Sequence, residues 1–191
     1  NVLKVIFTET YFMKNTIYVL LLAFLTIPNL TAQDFSDIDK SPMDVTIIRN
    51  QNHSPMARVI YSRPSKNDRD IFGNLVPYGK VWRTGANEAT EITIYNDMSI
   101  SGQKIPAGTY TLYTIPNKTE WTIILNKNIN VWGTTSNYDS EKDLIRIKAP
   151  ARTAAATIED FSMAFQPIDN GANLLMGWDD TYVEIPFKNA E

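Results

Sequence analysis

Hydrophobic residues recur at every second position over much of the chain. Trp121, Ile123 and Leu125 alternate with Thr122 and Ile124, and Ile145, Ile147 and Ala149 alternate with Arg146 and Lys148. The same period sets Phe161, Met163 and Phe165 against Ser162 and Ala164, and Val183, Ile185 and Phe187 against Glu184. Successive side chains of a strand point to opposite faces, so one face of each segment is directed to a core and the other to solvent or a second layer. Residues 45–49, 58–61, 91–95 and 109–115 are further strand candidates. No apolar stripe of helical period is long enough to predict a helix, and the Ala154-Ala155-Ala156 run is too short.

The breaks between these segments are turn residues. Ser101-Gly102 predicts a short hairpin between 98–100 and 103–105, and Pro106-Ala107-Gly108 turns the chain into Thr109. Asp179-Asp180 predicts another hairpin turn, between 174–178 and 181–187. About nine or ten strands at this spacing predict an all-β fold, an antiparallel β-sandwich, with a closed β-barrel as the alternative.

The N-terminal part has a different pattern. Met13-Lys14 opens a charged start, Ile17–Ile27 is an almost unbroken apolar run, and small Ala32 ends the Pro28-Asn29-Leu30-Thr31-Ala32 stretch. That order predicts a secretory signal peptide over 13–32, removed near Ala32. The run falls well short of the roughly 20 residues that span a bilayer, so no transmembrane segment is expected in the mature chain. Residues 1–12 read as an upstream extension, 33–40 as a loose polar lead-in and 41–191 as a single β domain. The predicted location is the periplasm or the medium.

Composition narrows the function classes. The chain carries 18 Lys+Arg against 21 Asp+Glu, a formal charge of −3, with one His and no Cys. Absence of Cys excludes a disulfide scaffold, a thiolate zinc site, a cysteine nucleophile and a lipid-bearing cysteine. The acidic balance argues against nucleic acid as a partner. No metal and no cofactor are expected. His53 sits in the polar stretch Asn50-Gln51-Asn52-His53-Ser54 and reads as a solvated loop residue; no G-x-S-x-G elbow accompanies Ser54. Asp37, Asp39, Asp44, Asp179 and Asp180 lack the spacing of a calcium-binding helix-loop-helix motif.

Residues 62–78 resist a strand reading. They hold Pro64, Gly73 and Pro77 among charges, and long loops in compact domains often carry function. Extended to Arg83, the stretch holds Arg63, Lys66, Arg69, Lys80 and Arg83 against Asp68 and Asp70, a local excess of positive charge in an acidic protein. Tyr61-Ser62-Arg63-Pro64-Ser65 and the run Ile71-Phe72-Gly73-Asn74-Leu75-Val76-Pro77-Tyr78-Gly79-Lys80-Val81-Trp82-Arg83-Thr84-Gly85-Ala86-Asn87-Glu88-Ala89-Thr90 closely resemble the signature of the domain of unknown function 2911 family. Ile105-Pro106-Ala107-Gly108-Thr109-Tyr110 and Glu120-Trp121-Thr122 resemble its second block, and Asn67-Asp68 departs from the family's basic, Gly-containing turn. The resemblance covers roughly 40–187 and implies a secreted bacterial protein. It implies no reaction.

The richest cluster of polar and aromatic side chains lies in this segment. Tyr78 and Trp82 offer apolar faces, and Arg83, Asn87 and Glu88 offer donors and acceptors that converge if Gly85 makes a tight turn. Such a set suits a small polar molecule or glycan, with Arg63 and Lys80 in support. The competing expectation is structural: Arg63 and Arg83 satisfy loop carbonyls or pair with Glu88 or Asp70, and Trp82 plugs one end of the sandwich. A second functional alternative is a hydrolase of a glycan or envelope polymer. It would use a carboxylate pair that includes Glu88, the catalytic candidate, with Glu91, Asp179, Asp180 or Glu184. A third is a structural or partner-binding envelope protein. Trp121, Trp132 and Trp178 read as core or edge packing, Lys127 with Asn126 and Asn128 as turn chemistry. Tyr110 and Tyr113 fall on opposite faces of one strand, which predicts that at most one is buried.

Overall fold

A computed structural model describes residues 33–133 and 137–190. The expected upstream extension (1–12) and signal peptide (13–32) lie outside the described residues. The chain divides after Asp37, and the unit from Ile38 onward carries the strands. Gln33–Asp37 is exposed and without regular structure. Among the described residues no helix is long and apolar enough to cross a membrane.

The strands are β1 (Met43–Arg49), β2 (Pro55–Ser62), β3 (Glu91–Ile94), β4 (Met98–Ile100), β5 (Gln103–Ile105), β6 (Gly108–Ile115), β7 (Glu120–Asn126), β8 (Asp143–Pro150), β9 (Arg152–Ile168) and β10 (Gly171–Asn189). They form a six-stranded sheet in the order β1-β2-β3-β6-β7-β8 and a four-stranded sheet in the order β5-β4-β10-β9. Paired strands run antiparallel throughout. Neither sheet closes on itself, so the architecture is the expected sandwich and not the barrel.

The two-residue period explains the core between the sheets. Trp121, Ile123 and Leu125 of β7 meet Leu174, Met176, Val183, Ile185 and Phe187 of β10, all essentially without solvent contact. An aromatic cluster fills one part of it. Trp82 stacks on Trp178, ring centroids 6.0 Å apart and planes at 15°, and meets Phe161 edge-on at 5.0 Å.

Two local expectations are corrected. Tyr110 and Tyr113 are both buried, because β6 and β7 are covered on both faces. Tyr110 joins the core between the sheets, while Tyr113 and Ile124 form a second, smaller core with Ala89 and Val131. Asn126 anchors part of that cover: its amide donates to the carbonyl of Asp139 and to Asp143, and its oxygen accepts from Asn128 N–H. Asp179-Asp180 is not a hairpin turn. β10 runs through it with shifts of register, and Asp179 takes φ 55°. The bulge lets the Asp179 carboxylate reach Lys66 Nζ at 3.2 Å. Finally, the β9–β10 reversal falls at Asp169-Asn170, with Asn170 at φ 58°.

The connection between β2 and β3 closes a gap in the larger sheet. β3 is short: it pairs with residues 57–60 of β2 on one side and, on the other, with residues 108–111 of β6 alone. Further along, Trp82 exchanges backbone hydrogen bonds with Thr114, and Leu112 N–H donates to the Thr90 carbonyl. The same connection is latched to β9 by a bridge between Ser65 and Asp160 and by Lys66 N–H to the Glu159 carbonyl at 2.7 Å. Asn67 and Asp68 turn between these anchors at φ 47° and 57°, values that Asn and Asp tolerate better than most side chains.

Candidate functional site

The segment from Pro64 to Asn87, with Ser41 and Trp178, encloses a recess of about 580 Å³. Its walls follow from the anchors just described. Trp82 is fixed by Thr114, and its indole N–H donates to the Gly85 carbonyl at 3.1 Å, clasping the Trp82-Arg83-Thr84-Gly85 turn. Within that turn Thr84 is fully buried at φ 58°, a left-handed conformation that is rare for a β-branched residue and costs on the order of 1–3 kcal/mol. Its neighbours hold it there: the Thr84 hydroxyl meets Thr114 Oγ1 at 3.2 Å, and its carbonyl accepts from Thr90 Oγ1 at 2.7 Å. Gly85 is needed for a close approach, since a Cβ there would lie 2.9 Å from the Ser62 carbonyl oxygen.

Four of the seven expected ligand contacts line the recess: Lys80, Trp82, Arg83 and Asn87. Burial holds the half-buried Arg83 guanidinium below its ordinary pKa. Asn87 takes φ 55° and its amide donates to Asp39 Oδ1 at 3.1 Å. That carboxylate is lowered in pKa by Ser41 N–H first and by Asn87 second. Trp82 is only 8% exposed, and its stacking on Trp178 makes it an apolar floor rather than an open plate.

The other three lie elsewhere. Arg63 ties the two sheets together, donating from Nε to the Phe161 carbonyl (3.2 Å), from Nη1 to Asp44 (3.0 Å) and from Nη2 to Ser162 Oγ (2.8 Å). Its carboxylate partner is thus Asp44, not Glu88 or Asp70. The Tyr78 ring covers Gly73, whose φ of 93° and lack of a Cβ the contact requires. Glu88 is exposed, bridges to Trp132 through its backbone, and lines a smaller recess of about 230 Å³ together with Glu91. Glu91 Oε1 accepts from Asn130 N–H at 2.6 Å.

The remaining polar candidates are engaged in local structure. His53 is an exposed turn residue at φ 65°, and the Ser54 hydroxyl donates to Asn52. Asp44 pairs with Arg63, Asp179 with Lys66 and Glu184 with Arg152. Among the described residues no group of three or more His, Cys, Asp or Glu side chains is placed to hold a metal. Sequence reasoning missed Arg69, Leu75 and Trp178 as parts of the recess. The local excess of positive charge pointed toward Arg69, but no local signal could bring Trp178 to it, because that contact joins distant parts of the chain.

No curated protein and no solved structure matches the chain. The model of the family described as "Protein of unknown function (DUF2911)" matches residues 41–187, which takes in the whole recess and both sheets except the last residues of β10. The chain belongs to that family.

Proposed function

We propose that this is an exported, non-enzymatic β-sandwich that binds a small polar ligand or glycan in the recess around Arg83. The observation that carries the reading is the recess itself. At about 580 Å³ it falls in the size range of small-molecule sites, and it combines an apolar tryptophan floor with a few convergent polar groups. The turn that presents Arg83 is clasped on both sides and includes a strained, buried Thr84. Rigid presentation of a guanidinium suits recognition of a planar polar group, because its fork donates parallel hydrogen bonds.

Isothermal titration calorimetry with a panel of neutral sugars, acidic sugars and small carboxylates tests the proposal. Saturable binding by at least one compound, abolished in Arg83→Ala while the thermal transition stays cooperative, is the expected result. Absence of binding across the panel, or binding that Arg83→Ala leaves untouched, would overturn it.

A further inference from the structure

We propose that the ligand of this recess is an organic anion with an apolar body, its charged head held by Arg69, Lys80 and Arg83. This rests on the binding function proposed above and narrows it to one chemical class. The described lining residues include those three cations and no Asp or Glu, in a protein whose formal charge is −3. Arg69 is held by its own loop, donating from Nε to the Lys66 carbonyl at 2.8 Å and from Nη2 to the Ser65 carbonyl. Its charge is therefore fixed beside the recess, and it enters no ion pair among the described residues. Lys80 is exposed and enters no ion pair among the described residues. Of the carboxylates near the segment, Asp39 accepts from Ser41 and Asn87, Asp179 pairs with Lys66, and Asp68 and Asp70 do not line the recess. Like charges gathered at one recess repel, and an anion placed among them relieves that repulsion.

The rest of the lining argues for an apolar body. Leu75, Pro77 and Val81 stand on the wall above the Trp82–Trp178 floor, and Leu75 is 46% exposed. A bare inorganic anion would leave this surface wet, whereas an apolar group attached to the anion would cover it. A neutral sugar would leave the charge unused.

The probes are 3-phenylpropionate and its neutral isostere 3-phenylpropionamide, with glucose, glucuronate and inorganic phosphate, titrated calorimetrically into the whole protein. The acid is expected to bind about tenfold tighter than the amide, the scale of hydrogen bonds to a charged group. That advantage should shrink in Lys80→Gln and at high ionic strength, where exposed charges are screened. Lys80→Gln should unfold at the wild-type temperature, since the lysine head is exposed. Equal affinity for acid and amide would overturn the anion and leave the binding reading standing. Preference for glucose or glucuronate over 3-phenylpropionate would overturn the apolar body, and so would binding of phosphate alone. If no probe binds, this inference fails. The broader reading fails with it only if the neutral and acidic sugars of the larger panel are also silent.

Discussion

Arg63 is the residue whose position differs most from its expected role, and replacing it separates structure from binding. Its guanidinium joins the β2 end to β9 through the Phe161 carbonyl and Ser162 hydroxyl and to β1 through Asp44. Both side chains of the Asp44 pair are more than a third exposed, so it contributes at most about 1 kcal/mol. The bonds to β9 matter more, because Arg63→Ala removes a donor from the Phe161 carbonyl and leaves the half-buried Ser162 hydroxyl only its own bond to the Asp160 carbonyl. The expected loss is about 1.5–3 kcal/mol in all. For a chain of this size each kcal/mol moves Tm by roughly 2–4 °C, so the predicted drop is about 3–12 °C by thermal circular dichroism. Arg63→Lys should recover only a minor part of it, because the donors of an ammonium share one nitrogen and cannot reach three acceptors that Nε, Nη1 and Nη2 serve separately. Ligand affinity should not change, since Arg63 does not line the recess. A Tm within 1 °C of wild type in Arg63→Ala would refute the inter-sheet role, and a lost ligand with unchanged Tm would return Arg63 to the site.

Four other outcomes follow from the same contacts. Tyr113 Oη is buried with no hydrogen-bond partner among the described residues, so Tyr113→Phe should be neutral or stabilising by up to about 1 kcal/mol in urea unfolding. Gly85→Ala would push a Cβ against the Ser62 carbonyl oxygen, and we expect a loss of about 2 kcal/mol or more together with weakened binding. The Tyr138 hydroxyl is pushed up from its ordinary value of 10.0 to about 12, by burial first and by its hydrogen bond to Asp143 second. The folded state therefore holds that proton more tightly than the unfolded chain does. Its stabilisation is complete below pH 10 and disappears as pH rises toward 12, and Tyr138→Phe should flatten that part of the stability curve. Glu88→Gln should leave ligand affinity unchanged, because Glu88 lines the smaller recess; a large loss of affinity would place the ligand there instead.

Much of the sandwich is legible in residue order, because a half-buried strand writes its two faces as an alternation. β8 is plain in this way, with Ile145, Ile147 and Ala149 buried between exposed Arg146 and Lys148, and the Ser101-Gly102 hairpin is plain from its turn residues, which take φ 49° and 78°. Where a sheet is covered on both faces the alternation carries less information, and Tyr113 shows it: its cover comes from a separate loop with no periodicity of its own. Asp179-Asp180 shows a second limit. Acidic pairs favour turns, but here a positive-φ residue makes a bulge whose carboxylate is matched by Lys66, far back in the chain. The site divides along the same line. Lys80 and Arg83 are legible as unusual charge, whereas the role of Arg63 depends on carbonyl and hydroxyl groups of β9 that no local pattern connects to it. Trp82 is aromatic in sequence with no sign that Trp178 will cover its face.

The most direct test of the central claim is thermal unfolding of the wild type and Arg83→Gln with saturating 3-phenylpropionate. A ligand at 100 times its Kd adds about 2.7 kcal/mol to the folded state. That raises Tm by roughly 5–11 °C. A shift of this size is expected in the wild type and none in Arg83→Gln. Equal shifts in both proteins, or no shift in the wild type, would contradict it.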